Sequence, residues 1–191
     1  MEGAAAIAEN NAETKARSGP EAFDELVAIH RPRIFRFALA SLRDRDAAES
    51  VTQDCFLRAY RAWSLFRGDS AVTTWLTKIA INLIRDAARS RRFQFWKRAN
   101  ADAILADVNG SFIPAGGSSQ EDRLSAKQQV AQVWKAMDDL SPSQRTVFLL
   151  HFMEEMDLAE IEAVTGIGNA TIRVHLYRAV RVVRAKLGRL K

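Results

Sequence analysis

The chain has a single cysteine, Cys55, among 191 residues. That excludes an internal disulfide and a cysteine-based zinc site, and it fits a reducing compartment. No apolar run approaches the ~18 residues that a membrane span needs. The opening MEGAAAIAENNAETKARSG has neither a basic n-region nor an apolar h-region, so it does not read as a secretory signal. Catalytic signatures are equally scarce. There is no phosphate-binding glycine loop and no nucleophile elbow, and His151-Phe-Met-Glu154 lacks the two-histidine spacing of a metalloprotease helix. The acids Glu154, Glu155, Asp157, Glu160 and Glu162 gather near helix starts, where negative charge favours the dipole. The expectation is a soluble cytoplasmic protein with no catalytic site, metal or cofactor.

What the chain does have is apolar material for packed cores, 48% of residues, and a net charge of +5. The cations are unevenly placed. Between Arg85 and Arg98 stand Arg85, Arg89, Arg91, Arg92, Lys97 and Arg98 against the one acid Asp86. From Arg173 to Lys191 there are Arg173, Arg178, Arg181, Arg184, Lys186, Arg189 and Lys191 and no acid. Two separate basic segments point to two separate contacts with a polyanion. The first lies on Ser70–Arg92, which reads as one helix. Val72, Trp75, Leu76, Ile79, Ala80, Leu83 and Ala87 recur at three- and four-residue steps and make a buried stripe. Lys78, Asn82, Arg85 and Arg89 fall between them. Taken alone, this pattern also suits a core helix with an ordinary solvated basic face.

In chain order, residues 1–20 form an aperiodic tail. Residues 21–96 hold three helices: one from Glu21 to Leu42, expected to kink or break near Arg31 because of Pro32; one marked by Val51, Cys55, Ala59 and Trp63; and the basic helix, capped by Ser70 or Thr73. Residues 97–121, with Pro, paired Gly and paired Ser, read as a flexible linker. Residues 122–191 hold a second small all-α domain. In it Ser141-Pro142-Ser143-Gln144 and Asp157 with Glu160 are helix starts of capping-box type. The fold class is all-α: two small helical domains, the C-terminal one a helix-turn-helix. A helix ending near Val164, the turn Thr165-Gly166-Ile167-Gly168 and a helix over Asn169–Leu187 have that pattern. Its second helix would project Arg173, His175, Tyr177, Arg178 and Arg181 into a major groove. A plain helical hairpin has the same turn but not the same charge.

The first domain places aromatics (Tyr60, Trp63, Phe66, Trp75) and a basic face around a short glycine loop, a combination that suits unstacked single-stranded bases. Trp75 and Tyr60 are expected in the core. Phe66 is the candidate base-facing ring, and Asn82 the candidate reader of a base edge.

Three segments together resemble a known family. They are Ala48-Glu49-Ser50-Val51-Thr52-Gln53-Asp54-Cys55-Phe56; Phe66-Arg67-Gly68-Asp69-Ser70 with Trp75-Leu76-x-x-Ile79-Ala80-x-Asn82; and Leu140-Ser-Pro-Ser-Gln-Arg145 followed by Ile161 to Ala179. The chain is similar to sigma factors of bacterial RNA polymerase, of the two-domain extracytoplasmic-function (ECF, group IV) type. That resemblance implies partners: bacterial core RNA polymerase, promoter DNA and an anti-sigma factor, with no membrane insertion. It implies that Glu49, Gln53 and Asp54 dock on core polymerase. Phe66, Asp69, Ser70, Lys78, Asn82, Arg85 and Arg89 would take the non-template strand of the −10 element, and Thr171, Arg173, Val174, Tyr177 and Arg178 the duplex −35 element. The chain departs from the family pattern at Ser50 (usually Asp), Asp54 (usually Glu), Val72 (often aromatic), Gly168 and Ala170. Two other readings remain beside it: a helix-turn-helix repressor or activator working without polymerase, and a sigma-like decoy that sequesters an anti-sigma protein.

Overall fold

The computed structural model describes residues 20–66, 70–90 and 132–188. The tail to residue 19, Arg67, Gly68 and Asp69, Arg91 to Ala131 (with the linker 97–121) and the last three residues lie outside them. Among the described residues every regular element is helical.

Helix α1 (Pro20–Leu42) is built on Phe23, Leu26, Ile34, Phe37, Ala38 and Leu42, all buried. It runs through Pro32 without the expected break. Pro32 and Ala28, whose carbonyl loses its usual donor, both lie on the solvent side, where water can replace the missing bond. Asp44 accepts from the Ala47 N–H at 2.8 Å and starts α2 (Arg45–Ala62). That helix buries Ala48, Val51, Thr52, Cys55, Phe56 and Ala59 against α1 and the next helix. A 3₁₀ turn (Trp63–Leu65) follows.

Helix α3 (Val72–Arg89) starts after Ala71 with no side-chain cap, so neither Ser70 nor Thr73 caps it as expected. Its first turn is held instead by the Trp75 N–H donating to the Ala71 carbonyl at 3.0 Å. The buried set on α3 is Val72, Leu76, Thr77, Ala80, Ile81, Leu83 and Ile84, whereas Trp75, Ile79 and Ala87 are half-buried. The apolar face is therefore wider than one stripe, because α3 meets α1 and α2 on one side and the second domain on another.

The second domain begins, as described, with a helical turn at 132–136 and a 3₁₀ turn (Met137–Asp139). Helix α4 (Pro142–Phe152) has the capping box that Ser141 and Gln144 promise, with bonds of 3.3 and 3.1 Å. Helix α5 (Leu158–Thr165) has the same device from Asp157 and Glu160, at 2.8 and 2.9 Å. Gly166, at φ 71°, turns the chain in the left-handed region, where glycine carries no Cβ penalty. Helix α6 (Asn169–Gly188) then opens on the Gly168 carbonyl, which accepts from Thr171 and Ile172 at 2.9 and 3.0 Å. Val147, Leu150, Ile161, Ile172 and Ala179 fill the core between α4, α5 and α6. The buried residues of both domains join into one cluster, with α3 packed on α5 and α1 on α4.

Candidate nucleic-acid interface

Lys78, Asn82, Arg85 and Arg89 step along α3 at intervals of four, three and four residues, so they share one face, and all four are exposed. The buried stripe that fixes α3 therefore also aims this row outward. Near the start of α3 an aromatic box forms. Phe66 stacks on Trp63 (centroids 5.7 Å apart, planes 8° from parallel) and leans on Trp75 at 4.8 Å. Phe23 meets Trp63 and Tyr60 edge-on at 5.9 and 5.1 Å. Phe66 is thus half-buried rather than a free ring. Tyr60 is not in the core as expected. It is 56% exposed and meets Phe23 edge-on. Leu65, which sequence reasoning passed over, is the most exposed large apolar side chain beside the box, at 76%. Ser70 is half-buried, and Asp69 lies outside the described residues.

On α6, Thr171, Arg173, Val174, Tyr177 and Arg178 are all exposed, with Arg181 one turn further on. Ile172, Ala179 and Val183 point inward and orient that face. The Arg173 Nε donates to Asn169 Oδ1 at 3.0 Å, which holds the guanidinium near the start of the helix. His175 is not projected outward as expected. It is half-buried, and its Nδ1 meets no hydrogen-bond partner. Lys186 is drawn to Asp139 and leaves the exposed row. A short first helix, an αL glycine and a long second helix with cations and a tyrosine outward make a surface that fits duplex DNA.

The remaining singled-out residues have structural partners. The His151 Nδ1 donates to the Met156 carbonyl at 3.0 Å. Asp157 and Glu160 cap α5, and Glu154 is buried against Arg33. Cys55 donates to the Leu76 carbonyl at 3.6 Å, and burial pushes its thiol up to about 12. On α2, Gln53 and Asp54 are exposed, while half-buried Glu49 is paired with Arg31. Leu57, one turn on from Gln53, extends that face and is 48% exposed.

Both helical domains match known proteins. Residues 26–94 match Sigma-70 region 2, and residues 131–182 match Sigma-70, region 4. The RNA polymerase sigma-H factor of Pseudomonas aeruginosa is 30% identical over 168 residues, spanning 85% of this chain and 84% of that protein. The ECF RNA polymerase sigma factor SigW of Bacillus subtilis is 28% identical over 171 residues, spanning 87% and 89%. Among solved structures, CnrH in complex with the cytosolic domain of CnrY superposes with a TM-score of 0.63 at 23% identity, covering 96% of this chain and 97% of that one. The sigma factor RpoE of Bartonella quintana, in complex with the anti-sigma factor NepR, gives 0.62 at 22%, covering 87% and 96%. The chain belongs to the sigma factors, the polymerase subunits that direct promoter recognition. Within them it is of the ECF type, with regions 2 and 4 as its two helical domains.

Proposed function

We propose that the domain spanning 21–96 carries the polymerase contact and the −10 contact, and the domain spanning 122–191 the −35 contact. The observation that carries this reading is the division of exposed side chains between α3 and α6. The α3 row has cations spaced along a backbone track with one amide among them. This suits a single strand, whose phosphates are held by charge and whose bases are taken one at a time. Lys78, Arg85 and Arg89 hold phosphates, and Asn82 reads the edge of a base extruded towards Phe66, Asp69 and Ser70. Extrusion costs a few kcal/mol, which pocket contacts must recover.

On α6, Arg173 and Arg178 reach guanine acceptors, Val174 packs on a thymine methyl, and Thr171 and Tyr177 hold the duplex edge. Gln53, Asp54 and Glu49 dock on core polymerase, with Leu57 as an apolar anchor beside them. An anti-sigma factor is a second partner, as NepR is for the Bartonella quintana sigma factor RpoE. The protein works in the cytoplasm and performs no catalysis of its own.

Co-elution of the purified chain with bacterial core RNA polymerase tests the reading. A stoichiometric complex that starts transcription from a −35/−10 promoter supports it. A folded, inhibitor-free chain that fails to bind polymerase overturns it in favour of the repressor or decoy.

A further inference from the structure

Ion pairs cross the seam between the domains. Arg43, in the turn between α1 and α2, pairs with the Asp138 carboxylate, donates to the Trp134 carbonyl at 2.5 Å and lies over the Trp134 ring at 5.9 Å. Arg33, on α1, pairs with the Glu154 carboxylate and donates to the Glu154 carbonyl at 3.1 Å. Arg43 and Glu154 are both buried. The backbone marks the same two places. Among the described residues, the non-glycine residues at positive φ are Arg43 (55°) and Glu155 (56°), the latter adjoining Glu154.

Arg43 is an odd choice for its turn. Its N–H closes α1 by donating to the Leu39 carbonyl at 2.7 Å in a left-handed cap. Glycine or asparagine fills such a position with less strain. A residue that breaks the local preference points to a role for its side chain, and the Arg43 side chain reaches Asp138 and Trp134 across the seam.

The seam faces the nucleic-acid surface. Between the domains is a cavity of about 510 Å³, lined by Ile81, Ile84, Arg85 and Arg89 of α3 and by Pro142 and Arg145 of the second domain. Arg85 and Arg89, assigned above to −10 phosphates, therefore look across at the other domain. The −10 and −35 elements are 25 base pairs apart by name, ~85 Å along B-DNA. A compact chain of this length has a radius of gyration of about 16 Å. The docked domains cannot occupy both elements at once.

We propose that Arg43 with Asp138 and Trp134, and Arg33 with Glu154, form a latch that holds the free chain closed and that must open before the promoter is engaged. Its regulatory consequence rests on the sigma-factor assignments above; the contact itself does not.

The test uses the full chain carrying spin labels at Arg58→Cys and Arg184→Cys. Cys55, with its buried thiol at about 12, stays unlabelled. The parent should give one short inter-label distance. Arg43→Gly suits φ 55° and keeps the α1 cap, so combining it with Glu154→Gln should preserve helicity. Each lost charged hydrogen bond should raise the open fraction at least about tenfold. Apparent affinity for core polymerase should rise by the same factor while the open form is rare. Arg33→Glu with Glu154→Arg should restore the short distance that either change alone removes. A parent already extended, or a folded Arg43→Gly/Glu154→Gln variant with an unchanged distance, overturns the latch. A distance that shifts as expected in a chain that never binds polymerase leaves the latch standing and removes the sigma-factor assignments.

Discussion

Arg178→Ala separates base reading from backbone holding. Arg178 is exposed on α6 and makes no ion pair with a described residue, whereas Arg173 is tied to Asn169. Removing it should therefore change the stability of the fold by no more than about 0.5 kcal/mol. A bidentate arginine–guanine pair contributes about 1–3 kcal/mol of discrimination, so holoenzyme affinity for its preferred −35 duplex should fall about 5- to 150-fold. Two features should accompany that fall. The variant should tolerate base changes at one −35 position that the parent rejects. Its salt dependence should stay unchanged, because losing a phosphate contact reduces the log–log slope by about 0.9. Binding of reconstituted holoenzyme to labelled promoter across a salt series, with a panel of −35 substitutions, measures all three. Uniform weakening with a shallower slope would refute base contact by Arg178. Loss of core binding would show that α6 has a different task.

The other predictions concern the remaining surfaces and the cores. Asn82→Ala should impair open-complex formation, followed by permanganate reactivity of the −10 region, more than −35 duplex binding; equal loss of both would argue against base capture. Asp157→Ala removes half of the α5 capping box and should cost about 1 kcal/mol, read as a lower thermal midpoint. Leu76→Ala, at a fully buried position, should cost about 2–5 kcal/mol in denaturant titration. Burial raises the Cys55 thiol from an ordinary 9.0 to about 12, so the unfolded chain loses that proton first. The sign follows: this contribution is whole below pH 9 and is lost as pH rises from there towards 12, with stability falling. A native chain whose Cys55 reacts readily with a thiol reagent at pH 8 would contradict it.

The elements were legible where local chemistry decides. Ser141-Pro142-Ser143-Gln144, Asp157 with Glu160, and Gly166 each specify a helix boundary through bonds made within four residues, and the folded chain keeps all of them. Pro32 shows where local preference yields: on the solvent side of a long helix, its missing bond is replaceable. Tyr60 and Phe66 show a different limit. Spacing gives the side of a helix but not how far a neighbour covers it, so one ring was expected buried and is exposed, and the other was expected open and is boxed by two tryptophans. The latch was not legible. Nothing local to Arg33 or Arg43 marks either one, since their partners lie 121 and 95 residues away.

Periodicity reports burial without saying which body does the burying, and on α3 that distinction matters. Leu76, Ala80 and Leu83 belong to a face that packs within the first domain. Ile81 and Ile84, also buried, line the cavity shared with the second domain beside Arg85 and Arg89. The seam therefore combines an apolar stripe, an incompletely filled cavity and charged side chains, which is nearer to a transient interface than to a domain core. Its ion pairs fit that character. Each charge rehydrates when the domains part, and the attraction within an intact pair is largely offset by the desolvation it requires. An intact pair thus stabilises the closed state by only part of its Coulomb attraction. Arg43 or Glu154 without its counter-charge is left buried and poorly solvated there, which penalises any misaligned docking. Arg43 and Arg33 consequently set which closed arrangement forms, while the modest net strength leaves it within reach of a partner that binds α3 and α6 at ~85 Å separation.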